Sequence, residues 1–238
     1  MEDQAVVTSS QLILGVKLRD DARFDNFHGE RNAAVAERLQ QACQPPVTVP
    51  VVVLCGDSDT GKSHLLQALC HYAESQSLSA VCISITEIGP FGPDALTGLE
   101  QFNLVCLDDL DSVAGQTGWE EAVFHLYNRM LDAGHQLVVS LSDVPASLPF
   151  ILPDLSSRLS HGLTLQLGIY RDSDRKRILV ARAEKRGLVM ADDVGGFILR
   201  RAPRRLGELL AILDSLDENS LQAQRRLTIP FVKTVMNW

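Results

Sequence analysis

Short apolar, β-branched runs recur along the first two thirds of the chain: "PVVVLCG" (50–56), "SAVCISI" (79–85), "FNLVCLDD" (102–109), "QLVVSLS" (136–142) and "LTLQLG" (163–168). Continuous apolar runs of this length, rather than strict alternation, mark strands buried on both faces, as in parallel sheets. Stretches of helical period separate some of them, notably "KSHLLQALCHYAES" and "WEEAVFHLYNRMLDAG". The pattern predicts an α/β core with a five-stranded parallel sheet over about residues 20–170. Ahead of it, "FDNFHGERNAAVAERLQQACQ" opens on an aromatic pair and continues as an amphipathic helix from about Asn32 to Gln41, ended by "QPPVTVP".

After Tyr170 the strand signal stops. "DSDRKRILVARAEKRG" reads as a helix with Asp172 or Ser173 as N-cap and Gly187 just past its end. "DDVGGFILRRA" and "PRRLGELLAILDSLDENSLQAQR" read as further helices, with Pro203 in the first turn of the second. "LTIPFVKTVMNW" is apolar and is expected to pack on them. Residues 171–238 thus form a small helical lid, and residues 1–19 an arm.

The first strand runs into "GDSDTGKSHL", where Gly56, Gly61, Lys62 and Ser63 fit the full phosphate-loop pattern. The intervening Asp57, Ser58, Asp59 and Thr60 supply inward-turning backbone N–H groups. Lys62 neutralises phosphate oxygens, Ser63 offers a hydroxyl to Mg²⁺, and the helix continuing through His64 favours negative charge at its start. A strand ending in "LDD" supplies the partner: Asp108 on the metal side and Asp109 where a carboxylate orients water. Adjacent carboxyls repel, so one of them is expected to titrate high. "SLSD" ends the fourth strand at Ser142 and Asp143, where a γ-phosphate sensor would stand, although a strand-ending Ser-Asp is also an ordinary turn. Arg158 in "DLSSRL" reads either as a surface residue or as an arginine finger, and Arg204 is the lid residue best placed by sequence to touch phosphate.

Composition narrows the class. The 238 residues are 45% hydrophobic, and no apolar run nears the ~20 residues of a membrane span. The acidic start "MEDQAVVTSSQ" lacks a signal-peptide pattern. Five cysteines without a C-x-x-C pair suit a reducing cytoplasm. A net charge of −8 argues against strong direct DNA binding, although half of the 22 Lys and Arg fall between 171 and 205. Most of these are expected on solvated helix faces. The histidines show no zinc spacing; His64 and His71 lie seven apart on one helix, where packing or solvent is the commoner role.

"FDNF", "GDSDTGKSHLL", "LVCLDDL", "LSD", "DLSSRL" and "RRLGELL" follow one another as in the AAA+ module of DnaA, over about residues 20–215. With the ending "AQRRLTIPFVK" and a short arm, the chain resembles the Hda-like, DnaA-homologous regulators, which lack DnaA's helix-turn-helix domain. The resemblance implies ADP or ATP with Mg²⁺ in the loop, DnaA and the DNA polymerase III sliding clamp (β subunit) as partners, and possible self-association. It implies Arg158 as a finger acting in trans on DnaA's ATP, Asp143 and Arg204 as the two sensors, and little or no hydrolysis by the chain itself. In "QLILGVKL", Gln11, Leu12 and Leu14 match the clamp-binding pattern, with Gly15 where proline is usual; the alternative is a packing segment. Some Hda-like chains lack the loop lysine, whereas Lys62 is present here, which leaves intrinsic hydrolysis open. A stand-alone ATPase of the helicase-loader type is the competing expectation.

Overall fold

The computed structural model describes residues 18–223 and 226–238; Gln11, Leu12 and Leu14 lie outside the described residues. The described chain opens with a strap from Leu18 to Gly29, followed by helix α1 (Glu30–Ala42), about a turn longer than its sequence pattern. Strands β1 (Val51–Cys55), β2 (Ala80–Ser84), β3 (Leu104–Asp108), β4 (Gln136–Leu141) and β5 (Leu163–Gln166) form one parallel sheet ordered β2-β3-β4-β1-β5. Each ends one or two residues inside its apolar run, because the flanking residues turn into loops or caps. Helices α2 (Lys62–Ser75), α3 (Ile85–Ile88), α4 (Thr117–Asp132) and α5 (Pro153–His161) connect them.

The pleat divides the strands between two cores. Val51, Val53 and Cys55 join Val105, Leu107, Val139 and Leu141 against α4 and α5. Val52 and Leu54 join Cys106, Val138 and Leu165 against α1 and α2. Both sheet faces are therefore covered, which is why the strands read as unbroken apolar runs. All five cysteines are free and buried in these layers. Burial pushes the Cys43 and Cys55 thiols up to about 12 and about 11, away from nucleophilic thiolate.

Helices α6 (Asp172–Lys185), α7 (Asp192–Arg201), α8 (Leu206–Ala223) and α9 (Ile229–Met236) enclose a third cluster built on Leu179, Ile198, Leu209, Leu213, Leu216 and Val232. Two local expectations shift. The N-cap of α6 is Arg171, whose N–H is taken by the Asp174 carboxylate at 2.9 Å; Asp172 is already the first helical residue. Gly187 stands past the helix end at φ 74°, where glycine is expected. Pro203 precedes α8 instead of entering its first turn. A residue before proline is forced out of the helical region, and Ala202 takes an extended conformation; the helix starts only at Leu206.

Candidate functional site

The sheet order sets β4 between β1 and β3, so the loop after β1 and the acids after β3 face each other across one strand. Leu107 lies level with Val139, and Val53 with that same residue, which brings Asp108 beside Ser140. The Ser140 hydroxyl, fully buried, donates to Asp108 Oδ1 at 2.5 Å and accepts the Asp109 N–H at 2.8 Å. Ser140 thus fixes both acids. Asp109 has φ 53°, a left-handed conformation that costs a non-glycine residue roughly 1 kcal/mol. Its carboxyl is held above the ordinary range, chiefly by burial and then by the Asp108 charge. The expected mutual repulsion is present but is the lesser cause.

The loop is built on backbone geometry. The Thr60 hydroxyl donates to the Asp57 carbonyl at 2.8 Å, and Asp59 is left-handed at φ 61°. Gly61, at φ 96°, caps α2; a Cβ there would meet Phe27 Cε2 at 2.8 Å and the Tyr170 hydroxyl at 3.2 Å. Glycine is therefore required both by conformation and by the aromatic groups closing over it. Lys62 is 8% exposed, and its ammonium donates to the carbonyls of Gly56 (2.7 Å) and Asp57 (3.1 Å), which hold it over the loop.

A cavity of about 290 Å³ opens above this loop. Ser58, Asp59, Gly61, Lys62, Ser63, His64 and Asp109 form its loop side, and Asn26, Phe27, His28 and Tyr170 a second wall. Ile178, Arg182, Leu206, Gly207 and Leu210 close it from the helical unit. Ser63 also lines a neighbouring cleft with Asp108, Asp109, Glu87 and Thr86. A hydroxyl and carboxylates are the hard oxygen donors that suit Mg²⁺, so the donor set fits the ion. A phosphate loop beside an apolar-walled cavity fits a nucleotide, the anion on the loop and the base between strap and lid.

The strap is fastened through histidines and a buried arginine. His64 Nε2 meets the Arg23 carbonyl at 3.0 Å, and its ring lies 5.8 Å from Phe27. His64 Nδ1 pairs with Arg182 Nη2 at 3.2 Å, which fixes a neutral ring donating from Nε2 and accepting at Nδ1. Burial pushes its pKa down to about 4. His71, two turns on, pairs with the Arg19 carbonyl at 3.1 Å. Arg182, 7% exposed, also pairs with Asp21 of the strap. Sequence reading had no sign of Arg182: it sits on an amphipathic helix among many basic residues, and its burial follows from the approach of the strap.

Other sequence-predicted residues stand elsewhere. Asp143 is exposed and accepts its neighbour's N–H from Val144 at 2.7 Å; it does not line the cavity. Ser142 donates to Asp111 at 2.5 Å. Arg204 lies before α8, 73% exposed, 3.4 Å from Asp172, and also outside the cavity. Arg205, beside it, reaches toward Asp59 at 3.8 Å. Arg158 is on α5 and does not line the cavity, its guanidinium paired with the Asn128 amide oxygen and stacked 4.6 Å from the Phe124 ring centre.

The family model "Hda, lid domain" matches residues 172–236, and "Bacterial DnaA ATPase domain" matches 96–166. An uncharacterized protein of Haemophilus influenzae is 37% identical over 230 residues, 96% of this chain and 99% of the relative. Domain III of DnaA from Thermotoga maritima superposes with a TM-score of 0.77 at 20% identity, over 93% of this chain and 98% of that one. AMPPCP-bound DnaA from Aquifex aeolicus gives 0.68 at 20% identity, covering 86% and 68%. The RuvB branch-migration motor of T. maritima gives 0.68 at 18%, covering 92% and 72%. The structural likenesses carry the fold, and the lid and core models narrow it. The chain belongs to the Hda-like, DnaA-homologous family of AAA+ proteins.

Proposed function

We propose that this chain is a regulatory nucleotide-binding protein that, with the DNA-loaded sliding clamp, stimulates hydrolysis of the ATP held by DnaA and so restrains replication initiation in the cytoplasm. The observation that carries this reading is the position of Arg158. It does not line the chain's own cavity but lies half-buried on α5 against Phe124 and Asn128 of α4, which supports a role on another molecule's nucleotide. A guanidinium set against a γ-phosphate stabilises charge that develops in the transition state, an effect worth about 1,000-fold or more. To act, Arg158 exchanges the neutral amide of Asn128 for phosphate oxygens, a stronger charge-assisted partner.

The chain's own site then has a holding role. Residues 56–64 wrap the phosphates of ADP, Lys62 neutralises them, and Ser63 and Asp108 would hold Mg²⁺, which screens phosphate charge. Asp109 would orient water if ATP were held. Asp143 and Arg204, both outside the cavity, would act as sensors only after the lid or strand end moved. Gln11, Leu12 and Leu14 are the proposed clamp contact, and residues 1–19, 20–170 and 171–238 the arm, core and lid. Arg158→Ala should bring DnaA's hydrolysis in the presence of chain and loaded clamp down to the unstimulated rate; a rate left intact would remove the finger assignment. Lys62, Ser63, Asp108 and Asp109 lining adjoining clefts also favour a second reading, a stand-alone ATPase of the helicase-loader type. Steady turnover by the isolated chain at motor-like rates would put that reading first.

A further inference from the structure

Glu120 is a carboxylate where the fold would tolerate few. It lies in the first turn of α4 and is 1% exposed. Its charge is met by backbone alone: Gly115 N–H donates to Oε1 at 2.7 Å, Ile151 N–H to both oxygens at 3.1 and 3.0 Å, and Leu152 N–H to Oε2 at 2.7 Å. A buried carboxylate is costly unless satisfied, and several N–H donors at once are what satisfy it. Two of the donors come from the residues that lead into α5; Leu152 is the N-cap of that helix and makes no side-chain cap bond of its own. Glu120 therefore supplies, from another helix, the acceptor and the negative charge that a helix start favours.

The same helix face continues into the arginine's cradle. Residues 120, 124 and 128 are four apart and share one stripe of α4. Phe124 stacks on the Arg158 guanidinium at 4.6 Å, Tyr127 lies 5.4 Å from it, and Asn128 bonds it. One end of the stripe thus anchors the start of α5, and the other holds the side chain that α5 carries. We infer that Glu120 is a positioning residue for Arg158: by pinning residues 151–152 to α4, it sets the depth and angle at which the guanidinium is presented to a partner's phosphate. The inference rests on the finger reading of Arg158 given above.

The test compares Glu120→Gln, Glu120→Asp, Arg158→Ala and the double variant Glu120→Gln/Arg158→Ala in the full chain. Each is titrated into ATP-loaded DnaA with DNA-loaded clamp, and its affinity for ADP is measured separately. Glu120→Gln keeps the shape but loses charge and an acceptor; Glu120→Asp keeps the charge and withdraws it by one methylene. Both should lower the plateau of stimulated hydrolysis by about 10-fold or more, since about 1 Å of misplacement of a catalytic group can cost about 100-fold. The half-saturating concentration and ADP affinity should stay at wild-type values, and the double variant should be no worse than Arg158→Ala. Hydrogen exchange at residues 151–159 should quicken without change in the sheet, which separates local release from failed folding. An unchanged plateau in a folded variant overturns the inference. So does a uniform loss of ADP affinity, half-saturation and sheet protection, which would make Glu120 a general stability residue. If Arg158→Ala itself retains stimulation, the finger reading fails first and the positioning role with it.

Discussion

His64 shows how one side chain can be both structural and titratable. Its two nitrogens are committed to Arg23 and Arg182, so protonation of Nδ1 would set two cations together in a buried place. With its pKa pushed down to about 4 against about 6.5 in the unfolded chain, the unfolded state takes up the proton first as pH falls. Stability is fully present above about pH 6.5 and drains away down to about pH 4, by up to about 3 kcal/mol. His28, lowered chiefly by burial, adds in the same direction, whereas Asp109, raised, acts in the opposite sense. The urea midpoint should therefore drop between pH 7 and 5, and His64→Asn should flatten that drop; an equally steep decline in the variant would exonerate His64. Ser140 is the other decisive residue. Ser140→Ala strands the Asp108 carboxylate and the Asp109 N–H without their shared hydroxyl, a loss of about 1–3 kcal/mol, and it should weaken Mg²⁺-dependent nucleotide binding more than binding without the ion. Equal weakening with and without Mg²⁺ would mean that Ser140 serves the sheet alone.

The elements were legible in the sequence to the extent that local chemistry decides them. Five apolar runs became five strands: β1, β3 and β4 are buried along their whole length, while the edge strands β2 and β5 are only partly buried. The loop was legible because its glycines and Lys62 have no other common use together. What stayed hidden depends on elements meeting. Arg182 and Arg204 both sit on basic lid segments, and composition favours neither; the strap's Asp21 and the α2 residue His64 select Arg182 for burial. The pattern places Pro203 in the first turn of α8, whereas that helix starts at Leu206; the extended Ala202 before the proline accounts for the end of α7 at Arg201. Glu120 was likewise invisible: a glutamate in an early turn is usually solvated, and only the return of the chain at residues 151–152 encloses it.

At the scale of the whole molecule, the cavity belongs to no single unit: loop, strap and lid each give it a wall. A ligand there stabilises the joined state, by about 2.7 kcal/mol when ADP is at about 100 times its dissociation constant. Mg-ADP should accordingly raise the melting temperature and slow proteolysis between residues 18 and 29. Arg182→Ala should reverse the protease protection while leaving the sheet's amide protection in place; unchanged cleavage would show that the strap is held by the histidines alone. The three apolar clusters, by contrast, stay on their own sides of the seam among the described residues, and what crosses it includes Asp21 with Arg182, Glu30 with Arg177 and Asp59 with Arg205. Two interiors that share no side chains are free to drift separately over evolutionary time. Across relatives, substitutions in the sheet's interior should be uncorrelated with those in the lid's, and covariation between the two halves should be concentrated in these few opposite charges.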